Sequence, residues 1–474
     1  MRKILGLFCL LVLCFGVSVS SVSGQGTTRR SVPMTTSGSP VPAGSIKLLG
    51  PDHYSLASFK AHNHLTGTQT QKLKEEKADL GGNAKDPGIK NGTVDTVPYF
   101  NSWFKTVGIQ SSGMYPYSMV GQSPAAGGTT GINNQVIPLI TVLVQSGVAL
   151  YVFDPTAAND PQGTDISLVE QSPLYDATTT YPGNGGSLPA DTGQFVDTAQ
   201  RAEFSGVRTA DWHTPLNPAM SSGIVWSQFL EWNNGDWACV GGEAPPCTSF
   251  PVVNIDTISN NFAFILNVEA PANSTFPIIV TDFVTAFIPI PEGGGCCVLG
   301  YHSAQPGIVD PAGVLVWTWG TFIPHNGSNG FSNPFGGFGF DTMVLSHEIA
   351  ETYNDPFVQT TGTFVVPWVD GSVSFAQANL EVGDAIEAMA VGDVIYNYPG
   401  GVPLMPNGNA YNYNLQNVAL LQWFTRTPLN SVGGIYSWPN TNTLNQCAHG
   451  KGGGKTPTWC YGEGSAGFFF GPPW

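Results

Sequence analysis

The high share of glycine and proline constrains this chain more than any other feature of its sequence. Its 58 glycines and 37 prolines make up about a fifth of the 474 residues. Glycine weakens helices and strands and proline interrupts them, so both residues favour turns and loops. We therefore expect a loop-rich fold with few helices. Hydrophobic residues account for 42% of the chain, which is enough for a sizeable core.

Charged side chains are scarce and mainly acidic. They make up 11% of the residues, whereas about 25% is typical of globular proteins. The 17 lysines and arginines face 33 aspartates and glutamates, which gives a net charge of −16. Such a chain cannot build the basic surface that neutralises phosphates. The composition therefore argues against nucleic acid and anionic lipid surfaces as partners.

The first 24 residues have the pattern of a secretory signal peptide. Basic residues at positions 2 and 3 precede an apolar run over residues 4–17 and small residues over 18–24. The run is too short to cross a bilayer, which takes about 20 residues. Polar residues at 145 and 146 interrupt the next apolar stretch, residues 136–152. We expect an exported protein, extracellular or periplasmic, without a membrane span.

The cysteines agree with an oxidising compartment. Loss of the signal peptide would remove two of the eight and leave six, and an even number in an exported protein is typical of disulfides. Six cysteines allow 15 connectivities, of which short separations favour Cys239–Cys247 and Cys447–Cys460. Cys296 and Cys297 would then bond to each other or belong to different bridges. The sequence has no C-x-x-C spacing, which disfavours a cysteine zinc site.

The chain divides by composition into four parts. Residues 1–24 are the expected signal peptide, 25–45 a flexible segment, 46–445 a globular region of one large or two tightly packed domains, and 446–474 a glycine-rich, disulfide-closed tail. We expect strands over residues 136–144, 148–153, 250–266, 276–290 and 313–323. We expect helices over residues 195–204, 341–355 and 411–424, and a partly helical segment over 375–390. This mixture predicts an α+β fold with a mixed or mostly antiparallel sheet.

The predicted helix over residues 341–355 carries the candidate chemistry. Asp341 is a suitable N-cap and Pro356 a suitable stop. Within the helix, His347 and Glu351 are four residues apart and therefore share a face. H-E-x-x-H helices hold zinc with this spacing, and their intervening Glu activates water. Here Glu351 replaces the second His, and a carboxylate is an accepted zinc ligand.

Further carboxylates complete the predicted site. Glu381 is the proposed third ligand, with Glu348 as the general base. Asp384 could ligate the metal or hold His347 through its other ring nitrogen, as outer carboxylates do. Asp355 lies four residues after Glu351, on the helix face shared by His347 and Glu351, and is a further outer or alternative ligand. The imidazole favours Zn²⁺, while a sphere dominated by oxygen would also suit Ca²⁺.

Two other interpretations of these residues stay open. The short His-Glu-x-x-Glu pattern also occurs by chance, and its side chains could form a structural hydrogen-bond network or a solvated face. A chance match is disfavoured because seven of the 33 acidic residues lie between positions 341 and 384. They lie on and beside an apolar helix, where unpaired charges are costly. His302 and His325 precede the helix and are candidates to line its cleft, but a role other than metal ligand is the favoured interpretation of both.

Three segments resemble a known family. They are Gly300–Ser303 (GYHS), residues 343–357 (MVLSHEIAETYNDPF) and residues 380–384 (LEVGD). They are similar to the core of secreted bacterial relatives of the EXORDIUM, or phosphate-induced, proteins, in which an HE-x-A-E-x-x-x-DP helix precedes E-x-G-D. The resemblance covers residues 291–390 and implies a zinc-metallopeptidase-like protein with a zincin-like active-site helix. By the same analogy, the strand over residues 313–323 is the edge strand that would pair with a peptide.

We therefore expect a secreted, metal-dependent hydrolase of peptidase type, with a peptide or cell-wall polymer as substrate. One alternative is a non-catalytic extracellular or cell-wall-associated binding protein with a structural acidic cluster. Another is a glycoside hydrolase, which would need two carboxylates about 5–9.5 Å apart without a metal between them.

Overall fold

The computed structural model describes residues 28–33, 90–93, 96–105, 114–181, 190–269, 275–289, 295–306, 314–334, 341–358, 364–369, 376–387, 395–404, 410–425, 431–439 and 460–461. The strands are β1 (Thr28–Ser31), β2 (Lys90–Thr93), β3 (Pro98–Lys105), β4 (Met114–Val120), β5 (Asn134–Gln145), β6 (Val148–Phe153), β7 (Thr180–Tyr181), β8 (Asp191–Thr192), β9 (Met220–Ser221), β10 (Ile224–Glu231), β11 (Trp237–Cys239), β12 (Pro251–Asn254), β13 (Phe276–Asp282), β14 (Ala286–Ile288), β15 (Gly295–Val298), β16 (Gly300–Pro306), β17 (Val314–Phe322), β18 (Phe364–Val369), β19 (Ala376–Asn379), β20 (Ile395–Leu404), β21 (Ala410–Gln416), β22 (Val418–Ala419), β23 (Ser437–Trp438) and β24 (Cys460–Tyr461). The α-helices are α1 (Asp165–Glu170), α2 (Phe195–Glu203), α3 (Ile255–Glu269), α4 (Met343–Asn354), α5 (Asp384–Glu387) and α6 (Leu421–Thr425).

An eight-stranded sheet is the largest element of the described chain. Its main path runs β1–β10–β5–β13–β17–β16, and β6 and β9 also pair with β5. The four pairs from β1 to β17 are parallel, whereas β16 and β6 are antiparallel to their neighbours. The fold is therefore mixed α/β. The prediction of a mixed sheet is confirmed, and the prediction of a mostly antiparallel one is wrong for this sheet.

The parallel topology was missed because one helix was predicted as a strand. Parallel neighbours need a long crossover connection, usually a helix. Helix α3 precedes the parallel strand β13, but we expected strand over residues 250–266, and only β12 fulfils that expectation. Ile255, Ile258, Phe262 and Ile265 are fully buried at helical spacing. The dense apolar content of this segment hid that period.

The helix predicted over residues 411–424 is also largely wrong. Strand β21 occupies its first half, and only α6 is helical. The side chains of Tyr411, Tyr413 and Leu415 are fully buried, and this period of two is that of a strand. Over residues 375–390 the described structure consists of β19 and the short helix α5 rather than one longer helical segment.

Several other predictions are confirmed. Strands β5 and β6 match the expected strands over residues 136–144 and 148–153 and pair with each other, β13 and β14 lie within residues 276–290, and β17 matches residues 313–323. Helix α2 matches residues 195–204, and α4 matches residues 341–355, although Thr342 rather than Asp341 is its N-cap residue. A disulfide joins Cys239 to Cys247 as expected, and Cys296 bonds to Cys297, which is one of the two arrangements that the sequence left open.

The chain termini are described only in part. The expected signal peptide and Cys447 lie outside the described residues. Within the segment that we expected to be flexible, Thr28–Ser31 forms β1 and pairs with β10. In the predicted tail, β24 pairs with β18. Within the described parts of the chain, none of the helices has the length and apolar character needed to cross a membrane.

Helix α4 packs closely against β16 and β17. A Cβ atom on Gly320 would lie 2.7 Å from Cδ2 of Leu345, and one on Gly300 would lie 2.7 Å from Cγ1 of Val344. Strand β17 is buried along its whole length between β13 and β16. The prediction that this strand is an edge open to a peptide is therefore wrong, because both of its sides are already paired.

Candidate metal centre

Helix α4, strand β16 and the residues around the start of α5 bring six buried ionisable side chains together. None of the six is more than 4% exposed. Their ion pairs and candidate ligand groups connect all of them. The six are His302 from β16, His347, Glu348 and Glu351 from α4, Glu381, and Asp384 at the first position of α5.

The first candidate ligand group is His347, Glu351 and Asp384, whose ligand atoms all lie within 4.8 Å of one another. Helical spacing places Glu351 Oε1 3.0 Å from Nε2 of His347. Asp384 Oδ1 approaches the same nitrogen at 3.4 Å. Two carboxylates therefore face one imidazole nitrogen.

The second candidate group is His302, Glu351 and Glu381, also with ligand atoms within 4.8 Å. Nδ1 of His302 lies 3.5 Å from Glu351 Oε2 and 3.6 Å from Glu348 Oε2. Nε2 of the same ring is 3.9 Å from Glu381 Oε2. Glu351 is thus common to both groups.

The position of Gln416 determines which nitrogen of His347 faces the carboxylates. The Gln416 amide donates through Nε2 to the carbonyl oxygen of Gly383 at 2.9 Å, so Oε1 is its acceptor atom. Oε1 lies 2.8 Å from Nδ1 of His347. Nδ1 therefore carries the hydrogen, and the Nε2 lone pair is available to a cation.

The backbone carbonyl of Asp355 determines which nitrogen of His302 carries the hydrogen. Nε2 of this ring lies 3.2 Å from the carbonyl oxygen of Asp355. A carbonyl can only accept, so Nε2 donates and Nδ1 keeps its lone pair. That lone pair faces Glu348 and Glu351. Both histidines are therefore oriented in the way that metal-binding histidines are.

The Glu351 carboxylate is held by the backbone of the following loop. Its Oε1 accepts from the amides of Gly383 at 3.1 Å and Asp384 at 3.3 Å. Burial alone would raise the pKa of Glu351, but the neighbouring His347 and His302 lower it below its ordinary value. Glu351 is thus ionised and fixed in orientation.

Four buried atoms of this cluster have no hydrogen-bond partner. They are Nδ1 of His302, Nε2 of His347, Oε2 of Glu348 and Oε2 of Glu351. Buried polar atoms without partners are costly and rare in folded proteins. Bound cations would satisfy these atoms, so the residues present fit a metal centre.

Without a cation, protons would have to take its place. Burial alone would lower the pKa of His347, but Glu351 and Asp384 raise it well above the ordinary value. The pKa of His302 is likewise raised by Glu381, Glu348 and Glu351 against the effect of burial. Burial raises the pKa of Glu348.

The cluster brings together every side chain that we assigned to the site except that of Asp355, which contributes its backbone carbonyl to His302, and the grouping differs from the predicted one. Glu381 groups with His302 rather than with His347, and Asp384 takes the place beside His347. Gln416, not Asp384, holds the other nitrogen of His347. The metal-ligand roles themselves stay predictions.

Gln416 is the residue that sequence reasoning missed, whereas His302 was placed beside the cleft with a role other than metal ligand favoured. His302 lies in the GYHS segment that carries the family resemblance, which was a usable signal. Gln416 belongs to the alternating strand β21, whose polar residues Asn414 and Gln416 bond to Asp341 and His347. The incorrect helix prediction for this segment concealed that alternation. His325 bonds to Asp341 at 2.9 Å and belongs to neither candidate group.

The donor set is one of imidazole nitrogens and carboxylate oxygens, which suits Zn²⁺ better than Ca²⁺. Glu348 lies beside these donors without belonging to either group. No family model, no curated protein and no solved structure matches the chain.

Proposed function

We propose that this protein is a secreted, zinc-dependent hydrolase of peptide bonds, related to the EXORDIUM-like family that its motifs resemble. The observation that carries the proposal is the buried convergence of His347, Glu351 and Asp384, with ligand atoms within 4.8 Å and Glu348 at the next helical position after His347. The signal-peptide pattern and the Cys239–Cys247 disulfide support export.

Each of these residues has a definite part in the proposed reaction. His347, Glu351 and Asp384 would hold the ion, and Gln416 would keep the His347 ring in place. A bound zinc ion would polarise the substrate carbonyl and lower the pKa of a water molecule. Glu348 would take the proton from that water and pass it to the leaving amine, as the glutamate of H-E-x-x-H helices does.

Metal analysis tests this proposal first. Protein purified without chelators should contain zinc in stoichiometric amount, because a formed site retains its ion. Less than about 0.2 equivalents, with no gain on reconstitution, would contradict the proposal.

The catalytic role needs a separate experiment. Fluorogenic peptides of mixed sequence should be cleaved by the zinc-loaded protein. Glu348→Gln should abolish cleavage and leave the zinc content unchanged, since this residue is the base and not a ligand. Turnover by the Gln variant would show that Glu348 does not have the proposed role.

A second candidate function is favoured by the burial of the site. With the six side chains at most 4% exposed, a substrate could reach them only if a covering segment moved. A non-catalytic extracellular or cell-wall-associated binding protein with a structural acidic cluster would need no such movement. It predicts no bound zinc, no peptide cleavage, and a change of stability in His347→Ala. The glycoside hydrolase alternative is disfavoured, because imidazoles lie between the carboxylates.

A further inference from the structure

Glu351 belongs to both candidate ligand groups, and we infer that the centre binds two metal ions bridged by the Glu351 carboxylate. The first ion is that of the proposed function, held by His347 and Asp384. The second is held by His302 and Glu381. The inference rests on the proposed function only in assuming the first ion.

The two oxygens of Glu351 point to different imidazoles. Oε1 lies 3.0 Å from Nε2 of His347, and Oε2 lies 3.5 Å from Nδ1 of His302. A carboxylate that served a single ion would leave one of these nitrogens without a cation. One oxygen for each imidazole is instead the arrangement of a bridging carboxylate.

The bridge is also fixed in position before any metal arrives. The backbone amides of Gly383 and Asp384 donate to Oε1 of Glu351, which leaves Oε2 free of any hydrogen bond. Holding Oε1 toward His347 forces Oε2 toward His302. The Glu351 carboxylate therefore presents one oxygen to each of the two sites at the same time.

Both imidazoles are set up independently as ligands. Gln416 accepts a hydrogen bond from Nδ1 of His347, and the carbonyl of Asp355 accepts one from Nε2 of His302. The nitrogens left over, His347 Nε2 and His302 Nδ1, are buried and have no hydrogen-bond partner. A single ion satisfies only one of them, whereas two ions satisfy both.

Each site has its own further carboxylate. Asp384 lies 3.4 Å from the ligating nitrogen of His347. Glu381 groups with His302 and not with His347, with its Oε2 3.9 Å from Nε2 of that ring, and would have to shift to share an ion with Nδ1. Glu348 is 3.6 Å from Nδ1 of His302, so the base would lie beside the second ion. In enzymes with two metals, about 3.5–4 Å apart, the ions together orient the attacking and leaving groups.

Metal stoichiometry of the full chain is the primary test. Protein saturated with zinc and freed of excess ion should contain two equivalents by elemental analysis. One equivalent would overturn this inference and leave the proposed function standing, and none would overturn both. With Mn²⁺ as the only metal, the electron paramagnetic resonance spectrum should show coupling between two ions. An isolated six-line signal at full loading would also overturn the inference.

Variants assign the two ions to their ligands. Glu381→Gln and Asp384→Asn should each reduce the zinc content from two equivalents to one. Glu351→Gln should weaken both sites at least 10-fold in competition with a chelator, because it removes the shared charge. Glu203→Gln, which alters an equally buried carboxyl outside the cluster, should retain two. Weakening of only one site by Glu351→Gln would contradict the bridge, and circular dichroism checks that each variant is folded.

Discussion

The backbone of Gly383 lies directly against the imidazole of His347. A Cβ atom at position 383 would be 2.5 Å from Nδ1 and 2.6 Å from Cγ of the ring, a separation that real structures do not tolerate. The loop that carries Glu381 and Asp384 can therefore approach the helix only because residue 383 has no side chain. Glycine at this position fixes the distance between the two halves of the metal centre.

Gly383→Ala should therefore displace the imidazole and weaken zinc binding. We expect a loss of at least 10-fold in affinity, in the range seen when the support of a ligand is disturbed, about 10- to 100-fold. Competition with a chromogenic chelator measures this. The adjacent buried Val382→Ala is the control: loss of its methyl groups should reduce the free energy of unfolding by about 2 kcal/mol with little change in affinity. Equal affinities in the two variants would contradict the prediction.

Gln416 should act on zinc binding through His347. Gln416→Leu removes the acceptor for the hydrogen on Nδ1, so the ring loses its fixed orientation and keeps an unpaired buried donor. We expect about a 10- to 100-fold loss of affinity for zinc. Gln416→Glu retains an acceptor oxygen for Nδ1 but loses the donor to the Gly383 carbonyl, so it should restore part of the affinity. If the Leu and Glu variants bind zinc equally well, Gln416 has no positioning role.

Gly300 should control the position of the proposed base. A Cβ atom there would lie 2.8 Å from Cγ of Glu348, so Gly300→Ala should lower peptide cleavage at least 10-fold while zinc stays bound. Gly320→Ala crowds Leu345 on the same helix at 2.7 Å without touching Glu348, and serves as the matched control. Cleavage rates and zinc contents are measured for both variants. Loss of cleavage in Gly300→Ala alone would be due to displacement of Glu348, whereas equal losses in both variants would be due to disturbed packing of α4.

The contrast between correct and missed predictions has a physical cause. Helix α4 and its His347, Glu348 and Glu351 could be predicted, because helical spacing is a local property of the chain. His302 and Gln416 come from strands whose contacts depend on the sheet order, and that order depends on long-range pairing. The parallel sheet was missed for the same reason: it required recognition of α3 as a crossover helix. The grouping of Glu381 with His302 is likewise a property of tertiary structure alone.

Removal of the metal should destabilise the whole protein. A ligand that binds only the folded state stabilises it by about 2.7 kcal/mol at a concentration of 100 times its Kd. Excess EDTA should therefore lower the urea concentration at the midpoint of unfolding, measured by tryptophan fluorescence. Glu351→Gln should show a much smaller shift, since it weakens the site. An unchanged midpoint for the native sequence would mean that no metal contributes to its stability.

A buried carboxyl outside the metal centre should give the stability a pH dependence of its own. Burial raises the pKa of Glu203 from 4.5 to about 8, partly opposed by the hydrogen bond that its carboxylate accepts from the amide of Leu421. Between these two values the folded state holds a proton that the unfolded state has lost, so stability falls as pH rises. The loss is about 1.4 kcal/mol per pH unit in the middle of that range.

Glu203→Gln should remove this component, because glutamine keeps an acceptor for Leu421 and does not ionise. Between pH 6 and pH 8 the native chain should lose about 2 kcal/mol relative to the variant, as measured by urea unfolding in the presence of zinc. Asp211→Asn is the control: the Thr209 hydroxyl lowers the pKa of this exposed carboxyl, which is therefore ionised in both states over the whole range. Parallel pH profiles for the native chain and Glu203→Gln would show that Glu203 is already ionised at pH 6 in the folded protein.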